Sequence, residues 1–178
     1  VLLGIGHTNA HVLRMWRMAP LADARLTCVS NFPVVTYSGM LPGVLAGQYS
    51  PERMQIDLVR LCAATGARLV VGEVTGLDLD QQVLQFADRA PLRFDALSIG
   101  IGSVPAPLAA ADETLLRIKP MQTFLERLET RLDQVAEALA ADDNRPLRVV
   151  VIGGGAGGVE ITFCLPARLR MRIGDRPL

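Results

Sequence analysis

Apolar and polar residues follow two alternating patterns along this chain, one typical of buried strands and one typical of helices. The apolar run 149–152 leads directly into a glycine-rich turn at 153–158 and then into helical spacing. A shorter apolar run, 1–4, leads into a similar turn and then into a helix carrying Val12, Leu13 and Trp16. The pattern therefore predicts two strand–turn–helix units, one near each end of the chain.

Between these two units the pattern predicts strands and a helix that belong to the first one. Residues 25–30 form a second apolar strand, and a helix is predicted to begin at Ser50, with Pro51 in its first turn. Gly66 stands where a helix favours a left-handed residue at its end. The next strand, from residue 67, leads into three stretches at 69–79, 83–86 and 92–99, separated by turns.

These elements predict an α/β fold. We expect a Rossmann-like domain with a parallel sheet and an antiparallel three-stranded insertion, followed by the start of a second Rossmann-like domain. A strong amphipathic helix precedes the second unit, because the apolar residues of 121–139 recur at spacings of three and four. We place the domain boundary before this helix, giving domains at 1–112 and 113–178.

Composition and charge restrict the kinds of partner that the protein can have, and they say less about its fold. Lys plus Arg equals Asp plus Glu at 18 each among 178 residues, so no net charge favours nucleic acid as a partner. The apolar runs are strand-sized, far below the roughly 20 residues of a transmembrane helix. With no signal-peptide pattern, we expect a cytoplasmic protein, and peripheral membrane contact stays open.

The three cysteines are far apart in sequence and form no C-x-x-C or metal-ligand spacing. Cys28, Cys62 and Cys164 are expected to be buried, reduced thiols. We expect no metal site.

The second turn carries the sharper chemical signal. Gly153, Gly155 and Gly158 have the G-x-G-x-x-G spacing of dinucleotide-binding turns. The first glycine permits the tight turn, the second lets the backbone approach a pyrophosphate, and the third lets helix and strand pack closely. The N-terminus of the following helix offers free N–H groups to the phosphates.

The first turn is an imperfect copy. It has Gly4 and Gly6, but Asn9 occupies the third position, so a glycine turn in an ordinary βα unit remains an alternative. The strand that follows ends in Ser30 and Asn31, where an Asp or Glu usually binds the adenosine ribose.

Two other segments have a functional and a structural explanation. Met40 and Leu41, in the glycine- and proline-rich stretch 36–43, either pack against a flat ring or close the core. Gly100 and Gly102 mark either a strand end with positive φ or a backbone approach to a cofactor.

The two glycine turns, the antiparallel insertion and the Gly-x-Gly-Ser strand end resemble the pyridine nucleotide-disulfide oxidoreductase superfamily, flavoproteins with two dinucleotide-binding domains. The motifs at 6–11, 37–43 and 118–120 resemble its type II NADH dehydrogenase-like branch. They are most similar to the FAD-containing oxidoreductase domain found fused to a selenide, water dikinase domain.

The resemblance implies FAD and NAD(P)H as cofactors. The residues it assigns to FAD are Gly4, Gly6, His7, Thr8 and Asn9 at the pyrophosphate, Ser30 at the ribose, Glu73 and Val74 at the adenine, Met40, Leu41 and Pro42 beside the flavin, and Gly100 and Gly102 at the strand end. Those it assigns to NAD(P)H are Gly153, Gly155, Gly158 and Glu160.

The resemblance also implies an FAD-dependent NAD(P)H oxidoreductase that passes electrons to a quinone-like or other small-molecule acceptor. No cysteine pair suited to dithiol catalysis is evident, and neither His7 nor His11 is a compelling general acid or base. The alternative is a non-catalytic nucleotide-binding or regulatory module of the same fold. We expect the chain to be the N-terminal part of a longer protein and to bind cofactors poorly and lack activity by itself.

Overall fold

The computed structural model describes residues 1–103, 114–140 and 146–174. They form two compact units: unit 1 contains Val1–Tyr37 and Gln55–Ser103, and unit 2 contains Ser38–Met54 and the described residues after 103. The predicted domain boundary between 112 and 113 lies outside the described residues, and the two predicted domains stay a prediction.

Nine strands and five α-helices are found in the described part of the chain. The strands are β1 (Leu2–Leu3), β2 (Thr27–Ser30), β3 (Val34–Thr36), β4 (Gln55–Asp57), β5 (Arg68–Val71), β6 (Val74–Asp78), β7 (Val83–Phe86), β8 (Leu92–Arg93) and β9 (Ser98–Ile99). The helices are α1 (His7–Met18), α2 (Leu41–Leu45), α3 (Leu58–Thr65), α4 (Phe124–Ala140) and α5 (Ala156–Ile173). Short 3-10 turns cover Ser38–Met40, Pro51–Met54 and Met121–Thr123.

A parallel sheet organises unit 1, with strand order β5-β2-β1-β9. Successive residues of a strand point to opposite faces, and β2 shows the consequence. Cys28 packs with Leu13 of α1 and Leu58 of α3 on one face, whereas Val29 packs with Leu84 of β7 on the other. The parallel sheet is therefore covered by helices on one side and by the insertion on the other.

The antiparallel three-stranded insertion is confirmed. Its strand order is β6-β7-β8, and a register shift interrupts the pairing of β6 with β7 between Val74 and Gly76. The third predicted stretch, 92–99, divides into two strands, because β8 stays in the insertion while β9 joins the parallel sheet beside β1. After the insertion, β9 therefore returns the chain to the parallel sheet, next to the strand that precedes the first glycine turn.

The predicted helix start at Ser50 is wrong. Residues Pro51–Met54 form only a 3-10 turn, and β4 follows, pairing antiparallel with β3. The helix begins after Asp57, whose carboxylate accepts a hydrogen bond from the Arg60 N–H at 3.0 Å. Its end agrees with the sequence, since Gly66 has φ +67°.

Unit 2 is held by packing among α2, α4 and α5. Its apolar core includes Leu45 of α2, Leu128 of α4 and Ile161 of α5. Beside this core, Arg168 donates two hydrogen bonds to Glu129 Oε1, at 2.8 and 2.6 Å, and Arg172 pairs with Asp133. The predicted amphipathic helix is confirmed as α4.

The predicted strand at 149–152 is not formed. These residues have no paired strand, and Val150 is 81% exposed. Helix α5 nevertheless follows the glycine turn and continues through Pro166 to Ile173, further than the sequence suggested. An apolar run becomes a strand only when a neighbour pairs with it, and the described residues supply no such neighbour here.

Candidate functional site

The first glycine turn lies between the end of β1 and the start of α1. Gly4 has φ +75°, a conformation that L side chains rarely adopt. A Cβ atom on Gly4 would lie 2.7 Å from the Gly100 carbonyl oxygen, and one on Gly6 would lie 3.3 Å from the same oxygen. Both glycines are therefore required by the close approach of the β9 end.

Helix α1 presents an uncapped N-terminus at this turn. Gly6 is its N-cap, no side chain caps it, and its first turn contains no acidic residue. His7 and Thr8 are exposed there. Backbone N–H groups at such an end carry partial positive charge and suit a phosphate.

Asn9 is buried, with 1% of its surface exposed. Its Nδ2 donates to the carbonyls of Gly4 at 2.7 Å and Leu3 at 3.5 Å, and its Oδ1 accepts from Ser98 Oγ at 2.9 Å. The Asn9 amide is therefore part of the turn, because it donates hydrogen bonds directly to the turn's carbonyls.

The imidazole of His7 stacks on the ring of Tyr37, with centroids 5.1 Å apart and planes 18° apart. The contact orients a ring beside the first turn. Tyr37 was noted in the sequence only as part of a motif, because nothing in its spacing indicates that the end of β3 returns to this position.

Ser30 ends β2 as predicted, but its side chain is already engaged. Its hydroxyl donates to the Phe32 carbonyl at 2.9 Å and accepts from the Phe32 N–H at 3.3 Å. The hydroxyl proton and one of the two acceptor lone pairs of Ser30 are thus used within the protein. Asn31, the neighbouring candidate, is exposed.

The candidate adenine residues lie where β5 turns into β6. Glu73 is exposed and Val74 is half-buried at the start of β6. The Arg89 guanidinium lies over the Phe86 ring at 5.5 Å and would be 3.1 Å from a Cβ on Gly72. Sequence reasoning missed Arg89, which sits in a hairpin turn with no motif around it.

The other two strand-end glycines differ from each other. A Cβ on Gly100 would lie 2.6 Å from Asn9 Nδ2, so Gly100 belongs to the first turn. Gly102 has φ +75° with open space around it, and Ile101 is 70% exposed. Positive φ thus explains Gly102, and close backbone approach explains Gly100.

Met40, Leu41 and Pro42 belong to unit 2. Leu41 is buried in the core of that unit, and Met40 packs against it. Pro42 is half-buried in the first turn of α2. For Leu41, core closure is therefore the explanation that the packing supports, and a contact of the three residues with flavin stays a prediction.

The second glycine turn has the stereochemistry that its spacing predicts. Gly153 has φ +114°, and Gly155 is the N-cap of α5 without a side-chain cap. A Cβ on Gly158 would overlap the Gly153 carbonyl oxygen, so the helix can approach the turn only with glycine there. Glu160 is exposed on the first turns of α5.

Cys28 and Cys62 are neighbours in the core of unit 1, although the sequence gave no indication that either had a partner. Both are free thiols, 0% and 2% exposed, in the same apolar cluster. Burial raises the pKa of Cys28, and the Cys62 thiol raises it further. Burial also raises the pKa of Cys62. Neither is therefore available as a thiolate nucleophile at neutral pH. Cys164 is half-buried rather than buried.

Among residues 1–103, 114–140 and 146–174, no group of three or more His, Cys, Asp or Glu side chains is placed to hold a metal ion. No helix in these ranges is long and apolar enough to cross a membrane.

Comparison with known proteins shows that the chain is similar to several reductases. It is 32% identical over 125 residues to demethylphylloquinone reductase of Synechocystis sp. and 30% identical over 118 residues to putidaredoxin reductase of Pseudomonas putida, each match covering 66% of this chain. It is 25% identical over 168 residues, 90% of its length, to an NADH dehydrogenase-like protein of Bacillus subtilis. Its homologues are NADH dehydrogenase-like and pyridine nucleotide-disulfide oxidoreductases.

The matches to these oxidoreductases cover only part of each relative: 28%, 26% and 43% of their respective lengths. No known family profile matches the chain.

Solved oxidoreductases share the fold. NADH:rubredoxin oxidoreductase of Clostridium acetobutylicum matches 99% of this chain and 42% of its own with a TM-score of 0.64, at 16% identity. At that identity the likeness concerns the fold alone. It confirms the predicted α/β class.

Proposed function

We propose that this chain is the N-terminal part of an FAD-dependent NAD(P)H oxidoreductase that works without a redox-active disulfide. The chain's homology to reductases supports the class, and its partial coverage of them supports a longer protein. The domain assignment at 1–112 for FAD and 113–178 for NAD(P)H remains part of this proposal.

One observation carries the proposal: the first turn is a tight glycine turn, packed on the end of β9, at the uncapped N-terminus of α1. Cβ atoms on Gly4 and Gly6 would meet the Gly100 carbonyl, and the uncapped start of α1 follows directly. A diphosphate fits such a turn because backbone N–H groups approach it without steric obstruction. The second turn supports a second dinucleotide in the same way, through Gly153, Gly155 and Gly158.

When bound, FAD would supply the site at which NAD(P)H is oxidised and from which electrons leave. This chain's own residues would bind and orient the two nucleotides. His7 and Thr8 would offer N–H groups to one diphosphate, and Val74, with Glu73, would lie at the adenine. The paired thiols of Cys28 and Cys62 would remain structural, since burial keeps them protonated.

The acceptor belongs to the proposal as well. One relative is named for reducing demethylphylloquinone and another for reducing putidaredoxin. For this chain we propose a quinone-like or other small-molecule acceptor in the cytoplasm, where reduced buried thiols persist. Fusion to a selenide, water dikinase domain and peripheral membrane contact are extensions of the same proposal.

A non-catalytic nucleotide-binding module is the second candidate. The observation that favours it is the end of β2, where Ser30 and Asn31 stand in place of a carboxylate and the Ser30 hydroxyl proton is donated to the Phe32 carbonyl. A module of this kind would bind adenine nucleotides and show no response to NAD(P)H.

The test uses two preparations. Isotopically labelled 178-residue chain is titrated with ADP, the portion that FAD and NAD share, while backbone amide shifts are followed by NMR. We expect shifts at Gly6, His7 and Thr8 and at the start of α5. The polypeptide that continues this sequence is purified and examined for flavin absorbance and for bleaching by NADH or NADPH.

Each result separates the candidates. ADP shifts at both turns together with bleaching of bound flavin support the oxidoreductase. ADP shifts without flavin, or without a response to either reduced nucleotide, support the non-catalytic module. Absence of ADP shifts at both turns, together with absence of bound flavin in the longer polypeptide, contradicts nucleotide binding altogether.

A further inference from the structure

The polar side chain at the third position of the first turn is built into the fold rather than aimed at a ligand. We propose that Asn9 is a positioning residue, which ties the diphosphate-binding turn to the end of β9 through Ser98. The inference rests on the proposed function, because it concerns how that turn is held for a dinucleotide.

The amide of Asn9 is occupied on both sides. Nδ2 donates to the Gly4 carbonyl at 2.7 Å, and Oδ1 accepts from the Ser98 hydroxyl at 2.9 Å. With 1% of its surface exposed, the side chain has no face left for a ligand. Asn9 therefore acts through its neighbours.

The space around this amide exists because two other positions are glycine. A Cβ on Gly100 would lie 2.6 Å from Asn9 Nδ2, and one on Gly4 would lie 2.7 Å from the Gly100 carbonyl oxygen. In the usual turn, a glycine at the third position lets the helix pack closely on the strand. Here the amide occupies the interior of the turn and replaces close packing with hydrogen bonds.

These hydrogen bonds have a consequence for the charge that a ligand meets. The Gly4 carbonyl oxygen is engaged inside the protein, because it accepts a hydrogen bond from the buried Asn9 amide. Carbonyl oxygen repels phosphate, whereas the N–H groups of the first helical turn attract it. The Asn9 amide thus keeps an acceptor out of the diphosphate site.

The hydrogen bond from the Ser98 hydroxyl to Asn9 Oδ1 links the turn to a second segment, strand β9. Ser98 lies in β9, two residues before Gly100, and the Gly100 N–H donates to the Leu3 carbonyl at 2.7 Å. Loss of the Ser98 hydroxyl leaves the Asn9 oxygen without its partner inside the protein, a costly state for a buried polar atom. The side-chain link between the turn and β9 is then lost, and only the backbone hydrogen bonds between β1 and β9 still join them.

The experiment compares ADP with adenosine, since only ADP carries the diphosphate. Binding is followed by NMR at the amides of Gly6, His7 and Thr8 in the 178-residue chain. We expect Asn9→Ala and Ser98→Ala each to raise the ADP dissociation constant about tenfold, while adenosine binding changes less than about threefold. Ser98→Thr, which keeps the hydroxyl, is expected to stay within about twofold of the parent chain.

A double variant tests whether the two residues act together. Asn9→Ala with Ser98→Ala is expected to bind ADP no more weakly than Asn9→Ala alone, because the bond between them is already lost. Ser50→Ala, far from the turn in sequence and exposed, is the matched control. Should Asn9→Ala fail to fold, the pair Ser98→Ala and Ser98→Thr carries the comparison.

The outcomes are distinct. If ADP and adenosine weaken equally, or if Ser98→Ala binds as the parent chain does, Asn9 has only a structural role and the inference is overturned. If neither the 178-residue chain nor the longer polypeptide binds ADP at the first turn, the proposed function is overturned, and this inference falls with it; if only the longer polypeptide binds ADP, the same variants are compared there.

Discussion

Asn9 and Ser30 show at the residue scale how neighbours decide what a polar side chain does. Both occupy positions that the family resemblance assigned to FAD, and both form their hydrogen bonds with other groups of the protein. A ligand would therefore meet the backbone at these positions rather than the side chains.

Gly158 gives the sharpest prediction for a single residue. We expect Gly158→Ala to lower the free energy of unfolding of unit 2 by about 2 kcal/mol or more, because its Cβ would overlap the Gly153 carbonyl oxygen and force the backbone to shift. Urea unfolding followed by circular dichroism measures the loss, since unit 2 contains three of the helices.

Gly157→Ala is the matched control. It lies one residue earlier in the same helix, with nothing within 4 Å of its Cβ position. We expect it to change stability by less than about 1 kcal/mol, in the stabilising direction that helix propensity favours. Equal losses in the two variants would show that the close approach at Gly158 is not a constraint.

The buried thiol pair predicts a dependence of stability on alkaline pH. Burial raises the pKa of both thiols in the folded chain, so the unfolded chain releases these protons first as pH rises above the ordinary value of 9.0. Between pH 8 and pH 10 we expect unit 1 to lose about 1 kcal/mol through the Cys28 thiol, with a further loss through Cys62. Fluorescence of Trp16, the single tryptophan, reports on unit 1 during urea unfolding.

The variant Cys28→Ala should reduce this pH dependence, whatever it costs at neutral pH. Cys164→Ala keeps both core thiols and should retain the full dependence. An unchanged alkaline slope in Cys28→Ala would contradict the assignment.

The start of α3 illustrates the element scale. The Ser-Pro-Glu pattern predicted Ser50 as the N-cap, whereas Asp57 caps the helix in the structure. The pairing of β4 with β3 decides between them, because it keeps residues 55–57 extended and delays the helix. That pairing depends on a strand about 20 residues earlier, which local patterns do not show.

We expect Asp57→Ala to lower the free energy of unfolding of unit 1 by about 1 kcal/mol through loss of the N-cap. Asp57→Asn, which keeps an acceptor oxygen, should cost only a few tenths of that amount. Trp16 fluorescence in urea measures both variants. Ser50→Ala should be neutral for the helix, and a loss as large as that of Asp57→Ala would instead support the start predicted from the sequence.

At the scale of the whole molecule, the sequence predicted the α/β class, the antiparallel insertion and both glycine turns. Those features follow from local periodicity and glycine spacing. It did not reveal the Cys28–Cys62 pair, the bond from Ser98 to Asn9, or the stack of Tyr37 on His7. Each of those joins residues at least 30 positions apart, so only the folded chain brings them together.

The affinity for the cofactor also depends on how much of the whole protein is present. We expect the 178-residue chain to bind FAD much more weakly than the longer polypeptide, because it spans only 26–43% of its relatives and its second turn has no paired strand behind it. Isothermal titration with FAD measures this directly. Tight binding with one FAD per chain would show the first unit to be sufficient.

The order of strands in the parallel sheet also determines when β1 can be paired on both edges during synthesis. Strand β1 lies between β2 and β9, and the Val1 amino group donates to the Ala96 carbonyl, 95 residues away. At about 5–20 residues per second, a ribosome needs roughly 5–20 s to make the intervening chain. During that interval one edge of a buried strand stays open, so the nascent protein has its greatest need of a chaperone before β9 emerges.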